Sequence, residues 1–308
     1  MKQVVIAAPI SETFQRKLLE QSLQLQKVNH LAAIQDHENI IGIVTSNKLA
    51  LKADALRLFP NLTWIARLGS GMEIIDTSYC DANQIVYVSS PAGIANSVAE
   101  HMTAMLLNLL HHIPRAAQEI KQGQWNREAN RGNEIENLRI GIIGYGHTGM
   151  AFAQKMRAFT PFVMAYDKYK QNFSDAYVRE VSLEDLQDQV DILSFHVPLT
   201  AETTHYYNSD FLHRMKKSHY VLNGSRGKVA STPCLLEGLQ SGKILGAALD
   251  VLEEEAHMPQ LLHTPGNFVE QLQAYNTLIT PHIAGYSFNA IEKMSAELLA
   301  GLQAKQLI

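Results

Sequence analysis

The sequence lacks several features that mark large classes of proteins. No apolar run approaches the roughly 20 residues needed to span a bilayer, so we expect no membrane-spanning segment. Only 2 of the 308 residues are cysteine, and Cys80 and Cys234 stand in neither CxxC nor metal-site spacing, so we expect reduced thiols. The net charge is −4 without a block of basic residues, which argues against nucleic acid or an anionic membrane as a partner.

Signals for secretion and for metal binding are also missing. The N-terminus, MKQVVIAAPISETF, has one lysine and a short apolar run that is typical of a strand rather than of a signal peptide. No HExxH motif occurs. The neighbouring side chains of His111 and His112 would point about 100° apart on a helix, so they cannot chelate one ion. We therefore expect a cytoplasmic protein without a metal site.

Short apolar runs alternate with polar or amphipathic segments along most of the chain. In the first hundred residues the predicted strands are Val4–Ala8, Ile40–Val44, Leu62–Arg67 and Ile85–Ser89. Such alternation predicts a parallel sheet with helices outside it, that is, an α/β fold. A helical pattern from Ser97 to about Lys121 is apolar nearly all round, which indicates burial. The length predicts two domains, and we place the crossing between them near Ser97.

The strongest motif lies between Leu138 and Asp167. An apolar run at Ile140–Ile143 has the length and β-branched content of a buried parallel strand. An amphipathic helix and a second strand follow, and that strand ends in Asp167. Between the first strand and the helix stand three glycines in G-x-G-x-x-G spacing: Gly144, Gly146 and Gly149. In this strand–turn–helix–strand context the motif predicts dinucleotide binding.

Each part of this motif has its own physical task. The first glycine permits the tight turn, the second lets a pyrophosphate approach the backbone, and the third lets the helix pack on the strand. The helix N-terminus, at His147 and Thr148, offers N–H groups and a partial positive charge to the phosphates. Asp167 can accept both ribose hydroxyls and would repel a 2′-phosphate. NAD is therefore the predicted cofactor, although Lys168 leaves some room for NADP.

Polar residues follow the predicted strands of the second half of the chain. In a doubly wound sheet the carboxyl ends of the strands lie at one edge, where the ligand crevice forms. We therefore expect these residues to lie close together: Gly144, Asp167, His196, Ser225, Arg226, Asp250 and His282.

Three residues make a plausible catalytic set. Arg226 offers a planar fork to a carboxylate, although a surface arginine in a turn fits its flanking glycines equally well. His282 can transfer a proton near neutral pH, whereas a lone histidine is more often structural. Glu255 would raise the imidazole pKa if it faced His282, but three consecutive glutamates alone are typical of a solvated turn. Asp250 could accept a hydrogen bond from a nicotinamide carboxamide.

Taken together, the motifs are similar to those of a known family. The series GIIGYGHTG, HVPLTAET, NGSRGKVA, GAALDVLEEE and TPHIAG resembles the D-isomer-specific 2-hydroxyacid dehydrogenases, and SVAEHMTAMLL and LGSGMEIID extend the resemblance over nearly the whole chain. The resemblance implies NAD-dependent interconversion of a small 2-oxo acid and its D-2-hydroxy acid. It makes Arg226 the anchor of the substrate carboxylate, His282 the general acid and base, and Glu255 its partner.

The resemblance also implies an architecture and a binding set. A Rossmann NAD-binding domain at 97–284 would be inserted into a flavodoxin-like substrate-binding domain formed by 1–96 and 285–308, and the protein would be a homodimer through the long helix. The implied substrate contacts are Ser46, Ser70, Gly71 and Arg226. The implied cofactor contacts are Gly144, Gly146, His147, Thr148, Gly149, Asp167, His196, Pro198, Thr203 and Asp250.

Departures from the family pattern concern the substrate. The local sequence is most similar to that of phosphoglycerate dehydrogenases, but we expect no C-terminal regulatory domain after residue 308. Thr45 stands where phosphoglycerate-specific members tend to have an arginine, and Lys48 would supply the charge without the bidentate fork. Ile94 stands where an asparagine is frequent, and Ala256–Asn276 is longer than usual. Glyoxylate, hydroxypyruvate and phosphorylated 2-oxo acids all remain open.

Two other functions fit the same fold. An NADH-sensing transcriptional corepressor resembles this family closely, and the sequence lacks the long disordered extensions that such a protein would use. Formate dehydrogenase pairs its histidine with an amide, so the carboxylate of Glu255 disfavours it. We therefore expect an enzyme acting on 2-oxo and 2-hydroxy acids.

Overall fold

The computed structural model describes residues 1–47 and 49–308. Lys48, whose charge was predicted to replace that of the arginine, lies outside the described residues. The chain divides into two compact units. The first is formed by Met1–Ser97 together with Gly285–Ile308, and the second by Val98–Ala284. Each contains a parallel sheet with helices packed on it, so the predicted fold class is confirmed.

The sheet of the first unit has the order β2-β1-β3-β4-β5, with every neighbouring pair parallel. This is the 2-1-3-4-5 order of flavodoxin-like folds. Its strands are β1 (Gln3–Ile6), β2 (Gln24–Lys27), β3 (Ile40–Thr45), β4 (Trp64–Arg67) and β5 (Val86–Ser89), and its first helices are α1 (Glu12–Glu20), α2 (Ala53–Leu56) and α3 (Thr77–Ala82). We did not predict β2, because this edge strand reads QLQK and has no apolar run.

The predicted single helix from Ser97 to Lys121 was wrong in its bounds. Helix α4 spans Pro91–Leu110 and α5 spans Ile113–Lys121. The helix begins early because a proline is tolerated in a first turn. It ends early because His112 is left-handed, with φ 53°, and Pro114 has no N–H to continue the hydrogen-bond ladder. His111 and His112 therefore lie at a break and not on one helix.

The sheet of the second unit has the order β12-β11-β10-β9-β6-β7-β8, again fully parallel. Counted from β6, the first six strands follow the 3-2-1-4-5-6 Rossmann order, whose switch point lies between β6 and β9. The strands are β6 (Ile140–Ile143), β7 (Val163–Tyr166), β8 (Val178–Glu180), β9 (Ile192–Phe195), β10 (His219–Asn223), β11 (Ile244–Leu249) and β12 (Thr277–Ile279). Every residue of β6, β9 and β10 is buried.

Helices surround both sheets. Those of the second unit are α6 (His147–Met156), α7 (Leu183–Gln189), α8 (Ser209–Arg214), α9 (Thr232–Gln240), α10 (Met258–Leu261) and α11 (Phe268–Gln273). Helix α12 (Phe288–Ala304) returns to the first unit, where Met294, Leu298 and Leu302 join the core on one face of the sheet. Within 1–47 and 49–308, no helix combines the length and the apolar character that crossing a membrane requires.

Candidate functional site

The predicted site residues of the second unit follow the carboxyl ends of its parallel strands. The ends of β10, β11 and β12 are in register, because Asn223 pairs with Leu249 and Leu249 pairs with Ile279. The residues after these three ends are the predicted chemical groups: Arg226, Asp250, Glu255 and His282. The glycine turn and Asp167 follow β6 and β7 along the same edge. One edge of the sheet therefore carries both sets of predicted residues.

The glycine turn after β6 has the geometry that a dinucleotide needs. Gly144 has φ +92°, and a Cβ there would lie 2.6 Å from the carbonyl oxygen of His196, so a larger residue does not fit. A Cβ on Gly149 would lie 2.0 Å from the carbonyl oxygen of Gly144, which shows how closely α6 approaches the turn. At Gly146 a Cβ would meet nothing within 4 Å, which leaves room for a pyrophosphate at the backbone.

The first turn of α6 faces this space with its backbone. Gly146 is the N-cap of the helix, and His147 and Thr148 are its first two residues. The first N–H groups of a helix have no intrahelical acceptor and favour an anion. The residues present therefore fit a dinucleotide phosphate group.

Asp167 is held against the glycine turn by backbone donors. Its Oδ2 accepts from the Tyr145 N–H at 2.8 Å, and its Oδ1 accepts from the N–H groups of Tyr169 at 2.9 Å and Lys170 at 3.0 Å. A carboxylate has about four acceptor positions, so it retains capacity for a ribose hydroxyl. Lys168 donates to Glu202 at 2.7 Å. The charge of Lys168 is thus already paired with that of Glu202.

The turn after β9 contains three residues of the predicted cofactor set. The Thr203 hydroxyl donates to the Pro198 carbonyl oxygen at 2.6 Å and closes this turn. The His196 imidazole is buried against the Phe152 ring, with its Nε2 2.8 Å from the Ser194 hydroxyl. Burial lowers the pKa of His196 to about 3, so the ring stays neutral. Its side chain lies in the interior, and its backbone carbonyl borders the glycine turn.

His282 and Glu255 form a close pair. The Nδ1 atom of His282 lies 2.7 Å from Oε2 of Glu255, and Oε1 of Glu255 accepts from the Leu252 N–H at 3.1 Å. Because a carboxylate only accepts, the proton belongs on Nδ1, and Nε2 is the nitrogen that can exchange a proton with a ligand. Both side chains are partly exposed, as a proton-transfer pair requires.

Asp250 holds the segment that carries His282. The carboxylate is 1% exposed and accepts from the N–H groups of Ile283 at 2.9 Å and Ala284 at 2.8 Å, and from the Thr280 hydroxyl at 2.5 Å. His282 has φ 55°, a left-handed conformation that a non-glycine residue adopts at a cost. Its N–H donates to the Asp250 carbonyl oxygen at 2.8 Å, so Asp250 fixes this conformation from both sides.

Sequence reasoning missed this role of Asp250 and the residues that support it. His101 on α4 places Nε2 3.0 Å from the Thr280 hydroxyl. The only available signal for Asp250 was an acid at the end of an apolar run. The predicted contact of Asp250 with a nicotinamide carboxamide stays a prediction.

Arg226 stands in a loop ordered by Asn223. The Asn223 Oδ1 atom accepts from the Ser225 N–H and hydroxyl, at 3.1 and 2.7 Å, and the Asn223 amide donates to the Arg226 carbonyl oxygen at 3.0 Å. One guanidinium nitrogen of Arg226 donates to the Ser225 carbonyl oxygen at 2.7 Å. As a residue, Arg226 is partly exposed. The arrangement therefore presents an arginine on a fixed backbone at the end of β10.

The remaining predicted substrate residues lie in the first unit. The loop containing Ser70 and Gly71 wraps around Arg67, which is 3% exposed and donates through Nε to the Gly71 carbonyl oxygen at 3.0 Å. Arg67 also bonds the Leu68 carbonyl oxygen. Ser70 is exposed and Ser46 is partly exposed. Sequence reasoning did not foresee that a buried arginine orders this loop, because arginine is usually exposed.

Comparisons with known proteins agree with this geometry. Residues 103–284 match the model of the family described as D-isomer specific 2-hydroxyacid dehydrogenase, NAD binding domain. A hydroxypyruvate reductase of Thermotoga maritima is 32% identical over 257 residues, which cover 83% of this chain and 82% of the relative. A D-3-phosphoglycerate dehydrogenase of Archaeoglobus fulgidus is 30% identical over 287 residues, which cover 92% of this chain but only 53% of the relative.

A solved structure extends the comparison to the fold. The chain resembles a D-lactate dehydrogenase from Aquifex aeolicus, crystallised with NAD and lactic acid, with a TM-score of 0.84 and 27% identity. The match covers 99% of this chain and 96% of that one.

Proposed function

The chain belongs to the D-isomer-specific 2-hydroxyacid dehydrogenase family, and from that premise we propose which of its residues carry the reaction. The protein is an NAD-dependent oxidoreductase that acts on CH–OH groups and interconverts 2-oxo and 2-hydroxy acids. The observation that carries the proposal is the 2.7 Å contact of His282 with Glu255, beside the strand end that bears Arg226.

The proposed roles follow from the chemistry of each group. Bound NADH supplies a hydride to the carbonyl carbon. Arg226 binds the substrate carboxylate through its planar fork. His282 donates the proton on Nε2 to the carbonyl oxygen, and Glu255 stabilises the imidazolium before that transfer. In the oxidative direction His282 accepts the hydroxyl proton.

We propose small, unphosphorylated 2-oxo acids such as glyoxylate or hydroxypyruvate as the substrates. Thr45, which replaces the arginine of phosphoglycerate-specific members, is buried and donates its hydroxyl to the Leu49 carbonyl oxygen at 2.9 Å. The guanidinium of Arg67 is buried and bonded to main-chain carbonyl groups. Neither residue offers a phosphate an exposed cation.

The test is a panel of 2-oxo acids with and without a phosphate, with NADH oxidation as the readout. We expect kcat/KM to be highest for an unphosphorylated acid. A preference for 3-phosphohydroxypyruvate would overturn this substrate class, and absence of turnover on every acid would overturn the assigned roles. The same assay with NADPH tests Asp167, for which we expect a preference for NADH because a 2′-phosphate would face a carboxylate.

We propose that the protein is a homodimer. Helix α5, whose nine residues are all described, has no buried side chain, although it carries Ile113 and Ile120 at 49% and 53% exposure. Trp125, shortly after the helix, is 79% exposed. Burial of such an apolar face against a second copy of the chain lowers the free energy of the pair. Light scattering coupled to size exclusion should give twice the mass of one chain, 34.3 kDa, and Ile120→Asp should shift it towards the monomer.

We also propose a cytoplasmic location. Cys80 and Cys234 are both buried and free. Burial raises the pKa of Cys80 to about 11 and that of Cys234 to about 12, so both stay thiols at neutral pH. Reduced thiols of this kind suit a reducing compartment. Fractionation of cells that express the protein should recover it with the cytoplasmic markers.

A further inference from the structure

The three consecutive glutamates after β11 each contact a histidine. Oε1 of Glu253 lies 2.5 Å from Nε2 of His205, Oε2 of Glu254 lies 3.2 Å from Nδ1 of His257, and Oε2 of Glu255 lies 2.7 Å from Nδ1 of His282. The second pair is exposed and local. The third is the proton-transfer pair. The first joins residues far apart in the sequence, and the mechanism above gives it no role.

Glu253 connects three segments of the second unit. Its side chain is 14% exposed, and while Oε1 contacts His205, Oε2 accepts from the Thr232 N–H at the start of α9, at 2.5 Å. The backbone N–H of His205 in turn donates to the Lys228 carbonyl oxygen at 2.6 Å. The carboxylate therefore closes a network around the loop that leads away from Arg226.

The loop with Arg226 and the loop with Glu255 lie in direct contact. A Cβ on Gly227 would lie 1.9 Å from the Leu252 carbonyl oxygen, so only glycine permits this approach. Leu252 also donates its N–H to Glu255. A shift of one loop would therefore move the carboxylate anchor relative to the proton-transfer pair.

The charge state of Glu253 supports a fixed position. Burial would raise the pKa of Glu253, but the hydrogen bonds from Thr232 and His205 outweigh burial and hold the pKa below its usual value. The carboxylate is thus ionised across the neutral range. A charged acceptor that is mostly buried and bonded through both oxygens makes stronger bonds than an exposed ion pair.

We propose that Glu253 is a positioning residue for the reaction. Through His205 and Thr232 it fixes the loop that carries Glu255 against the loop that carries Arg226, and so keeps Glu255 on His282. This inference rests on the roles proposed above for Arg226, Glu255 and His282. It predicts that loss of Glu253 weakens the hydrogen bond between His282 and Glu255, although Glu253 itself bonds His205 and Thr232.

The test compares three variants of the whole enzyme. Glu253→Ala removes both bonds, Glu253→Gln keeps an oxygen for the Thr232 N–H, and Glu254→Ala is the matched control on the neighbouring exposed glutamate. We expect Glu253→Ala to lower kcat/KM by up to about 100-fold, the scale of a misplaced catalytic group, with an unchanged Kd for NADH. Glu253→Gln should retain most of the activity, and Glu254→Ala should retain all of it.

The deciding readout does not depend on turnover. NMR spectra of histidine-labelled protein, with the ring signals of His282 assigned through His282→Ala, report the hydrogen bond between its Nδ1–H and Glu255. In Glu253→Ala we expect the Nδ1–H proton signal of His282 to move upfield, because Glu255 no longer accepts this hydrogen bond. His205→Asn, which leaves the Thr232 bond intact, should show a smaller change in the same direction and serves if Glu253→Ala fails to fold.

Two results would separate the outcomes. If the Nδ1–H signal of His282 and the activity per folded molecule are unchanged in Glu253→Ala while only the thermal midpoint falls, Glu253 is merely structural and the inference is overturned. If the native enzyme turns over no 2-oxo acid, the proposed function fails, yet an upfield Nδ1–H signal of His282 in Glu253→Ala would still support the positioning role.

Discussion

His196 and His282 both follow a strand of the same parallel sheet, the central β9 and the edge strand β12, yet their surroundings differ in opposite directions. His196, next to the glycine turn, is buried, and burial lowers its pKa to about 3. His282, after β12, is partly exposed and faces the carboxylate of Glu255 at 2.7 Å. A strand-end position alone therefore does not indicate a proton-transfer role. The role proposed for His282 is supported by its neighbouring carboxylate and its partial exposure.

The two regions also differ in what builds them. The glycine turn is formed by backbone groups of residues that have no side chain, whereas the region around His282 is formed by side chains that follow β10, β11 and β12. A substitution in the glycine turn should therefore impair cofactor binding, and a substitution around His282 should impair turnover.

The largest effect is expected from His282→Ala. Loss of the proton donor should lower kcat by roughly 100-fold or more, the scale of general acid catalysis, while the Kd for NADH stays near the native value. Stopped-flow turnover and NADH fluorescence measure the two quantities. His263→Ala, on an exposed histidine of the same unit, is the matched control. A full native rate in His282→Ala would contradict the assigned mechanism.

Glu255→Gln should have the next largest effect. The amide can still meet Nδ1 of His282 but carries no charge to stabilise the imidazolium that donates the proton to the substrate. We expect kcat/KM at neutral pH to drop by about 30-fold. The measurement is steady-state turnover of a 2-oxo acid with NADH, and an unchanged kcat/KM would show that Glu255 does not act through His282.

Gly146→Ala should impair cofactor binding at the glycine turn. The added Cβ meets no protein atom within 4 Å, so the thermal midpoint should stay close to that of the native enzyme. The same methyl group would stand where the pyrophosphate approaches, and we expect the Kd for NADH to rise by about tenfold, equivalent to about 1.4 kcal/mol. Gly149→Ala, whose Cβ would lie 2.0 Å from the Gly144 carbonyl oxygen, should instead lose stability.

The contrast between the regions explains how much the sequence could reveal. The glycine turn was predictable because its signal is local: a strand, three spaced glycines, a helix and an acid. The fold class was predictable for the same reason, since each strand and helix has its own periodicity. The break between α4 and α5 was missed, because an apolar pattern continues across His111 and His112.

The part of the site that could not be predicted from the sequence consists of long-range contacts. The bond of Glu253 with His205 joins residues 48 positions apart, and the EEE run alone is typical of a solvated turn. The hydrogen bonds that Asp250 accepts from Ile283 and Ala284 span more than 30 positions. No periodicity encodes such pairs, so only the folded chain reveals that the loops around Arg226 and Glu255 are tied together.

The smallest effect concerns stability and sharpens the comparison between the two histidines. The unfolded chain protonates His196 below pH about 6.5, whereas the folded chain does so only near pH 3. The unfolded state therefore binds more protons between these values, and the free energy of unfolding must fall as the pH is lowered from 6.5 towards 3. Between pH 7 and pH 5 the loss from His196 should be on the order of 1–2 kcal/mol.

His196→Gln removes this titration and should flatten the pH dependence of the urea unfolding midpoint, measured at pH 7 and pH 5. His263→Gln serves as the exposed control and should leave it unchanged. If His196→Gln unfolds with the native pH dependence, His196 is not held neutral. Its place beside the glycine turn would then have to be explained by a charged role at that turn.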